Sequence, residues 1–190
     1  MENNFNIIIS GVGGQGVITL ISLIDQAALI EGYDLKSSEL HGLSQRGGSV
    51  LTHVRFGKKV YSPLVEQGQA DLIIGLELLE GLRTLNFANK DAAVLINKYI
   101  FPVLGGLPRE EIIKELNETA GKKLYLIEAS EICKEKLEKE VVSGIYLLGY
   151  ACYKKLIPLK EGSFLKAIEK LIPEKYLDLN KKAFQLAKQA

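Results

Sequence analysis

Two glycine-rich stretches hold the residues of this sequence best suited to chemistry. The first is Gly11-Val12-Gly13-Gly14-Gln15-Gly16. Gly11, Gly13 and Gly16 match the spacing of a phosphate-binding turn. Glycine lets the chain turn tightly and approach a ligand closely, and a helix starting there offers unpaired amides and a dipole that favour an anion. Gln15 adds a side-chain amide with no evident packing purpose, suited to a ligand or a facing chain. The second stretch is Glu39-Leu40-His41-Gly42-Leu43-Ser44-Gln45-Arg46-Gly47-Gly48. It gathers carboxylate, imidazole, hydroxyl, amide and guanidinium among three glycines. The bland alternatives are glycines that only pack strand on helix, and a loop that is only solvated.

The elements around these stretches form an α/β pattern. Phe5 to Ser10 is a β-branched apolar run that reads as a buried strand. Val17, Leu20, Ile21, Ile24 and Ala28 recur at the period of one helical face, and Gly32 ends that helix. Tyr33 to Ser37 follows as a second strand, so the chain opens as strand, glycine turn, helix, strand. Glu39 to Gly48 fits neither period and is expected to be a loop at the carboxyl edge of the sheet, beside the first turn. Ser49 to Phe56 is a further strand, and Gly57-Lys58-Lys59 suggests a hairpin to Val60-Tyr61. Ala70 to Gly75, Ala92 to Asn97 and Leu124 to Glu128 read as strands. Between them stand helices carrying Leu76 to Leu85 and Ile112 to Leu116. Ser130 is the expected N-cap of a long helix with a Glu135–Lys139 pair, and Pro158 ends it. Two helical stretches close the chain. The expectation is one domain over residues 1–190, a Rossmann-like, doubly wound, mostly parallel sheet with an inserted β-hairpin and C-terminal helices.

Composition excludes several functions. The 24 basic and 23 acidic side chains give a net charge of +1, so no chain-wide cationic field exists for nucleic acid. Val17 to Ile24 is the longest greasy run and falls short of the ~20 residues a membrane span needs. The N-terminus has no basic region ahead of its apolar run, so a cytoplasmic protein without a secretory leader is expected. Cys133 and Cys152 stand far apart, whereas an iron–sulfur cluster takes about four thiolates. Both read as small buried hydrophobes. His41 and His53 make no metal-site spacing, so no metal is expected. A dinucleotide site would also want an acid at the end of the second strand. Asp34 comes too early and Glu39 a little late.

Gly13-Gly14-Gln15-Gly16, followed by Glu39-x-His41-Gly42-x-Ser44-Gln45-Arg46-Gly47-Gly48, closely resembles the gamma-type subunits of 2-oxoacid:ferredoxin oxidoreductases. The His-Gly version looks most like the indolepyruvate members; pyruvate and 2-oxoglutarate relatives more often carry Tyr-Gly and Glu-x-Arg-Gly-Gly there. Asn180-x-x-Ala183-Phe184 is similar to the family's closing helix, with Lys188 near the place of a glycine common in it. The resemblance spans nearly the whole chain.

It implies a subunit that is not catalytic alone and binds no cofactor by itself. Thiamine diphosphate, Mg²⁺ and [4Fe–4S] clusters would belong to a larger alpha subunit, with coenzyme A as co-substrate and ferredoxin reached through the complex. The implied reaction is oxidative decarboxylation of indolepyruvate or another arylpyruvate to an arylacetyl-CoA. On this reading Gly11, Gly13, Gly14, Gln15, Gly16, Glu39, His41, Gln45, Arg46, Gly47 and Gly48 face the thiamine subunit and line a substrate or coenzyme A channel. Open alternatives are a gamma-type subunit for pyruvate, 2-oxoglutarate or branched-chain 2-oxoacids, an independent dinucleotide-binding oxidoreductase, and a non-catalytic assembly domain.

Overall fold

The computed structural model describes residues 4–42, 47–102 and 106–190. Its centre is strand β1 (Phe5–Val12), whose Ile7, Ile8 and Ile9 are wholly buried. Successive side chains of a strand point to opposite faces, so this run requires a layer of helices on each side. Six strands supply the sheet: β1, β2 (Asp34–His41), β3 (Ser49–Gly57), β4 (Ala70–Gly75), β5 (Ala88–Asn97) and β6 (Leu124–Ile127), in the order β2-β3-β1-β4-β5-β6. β1, β4, β5 and β6 pair in parallel, while β3 lies antiparallel between β1 and β2.

Ile7, Ile9, Leu72, Ile74 and Leu95 face one layer, built from α1 (Val17–Ile30), α4 (Ala129–Leu137), α5 (Ser143–Tyr153), α6 (Glu161–Leu171) and α7 (Glu174–Leu186). Ile8, Ile73, Val94 and Ile96 face the other, where α2 (Leu78–Arg83) and α3 (Arg109–Thr119) pack. The expected doubly wound sheet with an inserted hairpin and C-terminal helices is therefore present. None of the described helices is long and apolar enough to cross a membrane.

Several local expectations change. The hairpin joins β2 to β3, not β3 to Val60-Tyr61; the Val60 amide is instead held by the Asp34 carboxylate at 2.8 Å. Consequently β3 separates β1 from β2, and the opening strands are not neighbours. Glu39, Leu40 and His41 belong to β2 and not to a loop. The long helix after β6 is broken: Glu138 adopts a left-handed φ of 57°, ending α4 at Leu137, so Lys139 cannot pair along a helix with Glu135. Ser130 caps nothing there and accepts a hydrogen bond from Asn97 Nδ2 at 2.8 Å.

Candidate functional site: a glycine turn joined to a hairpin

The carboxyl ends of the parallel strands form one edge of the sheet. Because β3 runs the other way, its first residue also lies there, with Val12 opposite Ser49. The ladder continues past both strands: Gly13 N–H donates to Gly48 O at 2.8 Å, and Gly47 N–H to Gly13 O at 3.4 Å. The two glycine motifs are thus one structure. Gly47 has a φ of +74°, a conformation that strains any residue with a Cβ. Gln45 and Arg46 lie outside the described residues.

Gly16 is the N-cap of α1, with φ 81°, no side-chain cap and no acid in the first turn. The first amides of α1 have no intrahelical partner and carry the positive end of the helix dipole.

Gln15, expected to face a ligand or a neighbouring chain, lines a cleft beside the turn but also bonds within the chain. Its Oε1 accepts Val12 N–H at 2.7 Å, and its Nε2 donates to Leu76 O at 3.4 Å. The side chain braces the turn against the end of β4, across the place where the winding of the sheet reverses. Gly11 has no room for a Cβ, which would meet Gln15 Oε1 at 2.9 Å. With the Val12 and Gly13 amides already bonded inside the protein, fewer donors remain here for a nucleotide diphosphate.

Two clefts flank the turn, and Gly14 and Gly16 line both. One, about 480 Å³, is bounded by Val12, Gly13, Val17, Ile18, Val50 and His41. Its walls are apolar apart from the exposed His41 ring, whose Nδ1 lies 3.2 Å from Gly42 O. The other, about 690 Å³, opens toward α7 and includes Thr19, Lys139, Val141, Lys175, Tyr176 and Asn180. Glu39 is exposed on β2, opposite Thr52. Its charge acts on Asp25 of α1, a carboxyl pushed up to about 6, first by burial and less by Glu39, against the Ser37 hydroxyl bonded to it at 2.7 Å.

The sequence reading missed two buried acids beneath this surface. Glu77, pushed above the ordinary carboxylate range by burial, accepts the amides of Glu80 at 2.8 Å and Phe101 at 3.2 Å. Glu80 accepts from Ser49 Oγ and from Arg83 Nη1, the latter at 2.6 Å. A glutamate three residues before another, just after a buried strand ending in glycine, was the available signal. Lys139 and Lys175 were also missed, because they reach the turn only through the tertiary fold.

Neither cysteine fits a cluster ligand. Cys133 and Cys152 are buried, and burial raises their thiols to about 12 and about 11. No group of three or more His, Cys, Asp or Glu suited to a metal occurs among the described residues. His53 is a core histidine, its Nδ1 accepting Val65 N–H at 3.1 Å and its ring edge-on to Phe87.

Comparison with known proteins agrees with this architecture. The family model described as pyruvate ferredoxin/flavodoxin oxidoreductase matches residues 6–190. Indolepyruvate oxidoreductase subunit IorB of Thermococcus kodakarensis is 36% identical over 98% of this chain and 95% of its own. The protein of the same name from Archaeoglobus fulgidus is 37% identical over 95% of this chain and 92% of its own. The crystal structure of the keto/oxoacid ferredoxin oxidoreductase gamma subunit from Geobacter sulfurreducens superposes with a TM-score of 0.75, at 21% identity, covering 97% of this chain and 96% of that one. The fold is shared with that subunit, and the sequence matches run nearly end to end. The chain belongs to the pyruvate ferredoxin/flavodoxin oxidoreductase family, as a small subunit of a 2-oxoacid:ferredoxin oxidoreductase.

Proposed function

We propose that the chain is the small subunit of a cytoplasmic indolepyruvate ferredoxin oxidoreductase. The complex converts an arylpyruvate, coenzyme A and two oxidised ferredoxins to an arylacetyl-CoA, CO₂, a proton and two reduced ferredoxins, in the breakdown of aromatic amino acids. Carbanion and electron-transfer chemistry belong to thiamine diphosphate and iron–sulfur clusters, which act in a larger alpha subunit that passes electrons to ferredoxin. The two buried cysteines of this chain are unsuited to ligating a cluster, which supports placing that chemistry in the partner.

What the chain contributes is a wall. The observation that carries this reading is the Gly13–Gly48 ladder, which makes the glycine turn and the exit of the Glu39–Gly48 stretch one continuous surface. The uncapped start of α1 and the lysines of the larger cleft support an anionic group, such as the phosphates of coenzyme A, with Arg46 as a further cation. The apolar smaller cleft, with His41 at its side, supports an aromatic body. Gln15 argues against an independent dinucleotide enzyme, because it already occupies the Val12 amide.

Arg46→Ala and His41→Ala, assayed in the assembled complex, test the reading. Arg46→Ala should raise the KM for coenzyme A, and His41→Ala the KM for the 2-oxoacid, with the subunits still associated. Unchanged KM values with intact assembly would remove the ligand role.

A further inference from the structure

The stretch that leads out of the Glu39–Gly48 motif is held from three directions. Backbone bonds to Gly13 fix Gly47 and Gly48 from the side. The Phe101 ring lies beside Gly47, where a Cβ would be in van der Waals contact with Phe101 Cε1 at 3.6 Å. The Ser49 hydroxyl donates to the Glu80 carboxylate.

Two of these holds lead back to one turn, between β4 and α2. Glu77, 2% exposed, uses one carboxylate oxygen for the Phe101 amide and the other for the Glu80 amide. The Leu78 amide ties the same turn to Tyr99 O at 2.8 Å. Glu80, 6% exposed, divides its carboxylate between Ser49 and Arg83, while its backbone oxygen accepts from Ser10 Oγ of β1 at 3.0 Å. Burying two carboxylates this close together is costly unless each oxygen is bonded, and here each is. A turn needing only to start a six-residue helix would be served by one cap. The second acid reaches outward to the hairpin.

We infer that Glu77 and Glu80 are positioning residues for the Gly47-Gly48-Ser49 segment: Glu77 acts through Phe101 and Glu80 through Ser49. The inference rests on the proposed role of that segment as a wall of the substrate or coenzyme A channel. The acids touch no ligand themselves. They set where the segment sits, so that association of substrate does not also have to order it.

The test compares Ser49→Ala, Ser49→Thr and Glu77→Gln by amide hydrogen exchange on the full chain, and by steady-state kinetics in the assembled complex. Ser49 is exposed, so water can reach the Glu80 oxygen that Ser49→Ala leaves without its hydroxyl, and this variant perturbs the fold less than Glu77→Gln. The expected result is exchange about tenfold faster, confined to the Gly47–Ser49 region, in Ser49→Ala and Glu77→Gln. KM should rise about fivefold with little change in kcat, and Ser49→Thr, which keeps the hydroxyl, should match the parent. Parent-like exchange in Ser49→Ala and Glu77→Gln, or faster exchange spread over the whole chain, overturns the positioning role. Faster local exchange with KM and assembly both unchanged upholds the clamp and overturns the channel reading beneath it.

Discussion

The amide of Gly13 and the carbonyl of Gly48 meet at 2.8 Å, joining two motifs separated by a whole helix and strand. The pairing extends the antiparallel register of β1 and β3 by one step beyond Val12 and Ser49. It needs the inserted β3, because only a strand running opposite to β1 brings its beginning to the edge where β1 ends. The inserted hairpin thus does for this surface what a second parallel strand could not.

Gln15→Ala should weaken the turn more than an exposed glutamine would. It removes the acceptor for Val12 N–H and the donor to Leu76 O. A loss of about 1–2 kcal/mol in urea unfolding is expected. Gln15→Glu keeps the acceptor but sets a carboxylate against the Leu76 carbonyl, and should fall at or below the alanine variant. A change within a few tenths of a kcal/mol would mean that water satisfies the Val12 amide and that the Asn97 Nδ2 bond suffices for Leu76 O.

Asp25 makes stability depend on pH. Burial raises its carboxyl to about 6, and its Oδ1 has no hydrogen-bond partner among the described residues. Between about 4, the unfolded value, and about 6 the folded chain holds the proton more tightly than the unfolded chain. Stability from this group therefore falls as pH rises through that window. Below it there is no penalty, and above it the penalty is full, of order 1–2 kcal/mol after allowance for solvent screening. Asp25→Asn should be more stable than the parent by about that amount at pH 7, with the gain vanishing near pH 4. An equal gain at both pH values would place the effect in packing.

Both thiols should be inert in the folded chain. Cys133 and Cys152 are buried and their thiols lie at about 12 and about 11, so the reactive thiolate is scarce at neutral pH. Titration with a chromogenic disulfide should count none before unfolding and both after it. Fast labelling of the native chain would contradict the assigned burial.

The legible parts of the fold were those with one strong local cause. Ile7 to Ile9 and Leu72 to Ile74 announce buried strands, and Val17 to Ala28 a helix, because burial sets their composition. The end of β2 is not legible, because an edge strand with Glu39, Leu40 and His41 exposed has no alternation to reveal it. The partner of β3 in the hairpin is not legible either, because the pairing depends on which strand lies next to β1, a choice made by the assembled sheet. At the site, the glycines were legible from the local demands of a turn. The bracing bond of Gln15 is not legible because its partner, Leu76 O, is distant in sequence, and Glu77 and Glu80 look like the polar side of an ordinary helix.

Everything proposed for the glycine turn and the hairpin depends on this chain working as one wall of a larger oxidoreductase. The most direct test is anaerobic affinity capture of the tagged chain from its own host, followed by indolepyruvate- and coenzyme A-dependent viologen reduction. The expected result is a larger partner bearing thiamine diphosphate and iron–sulfur absorbance, active only with both subunits present. A chain recovered alone or as a homo-oligomer, with no such partner, would contradict it.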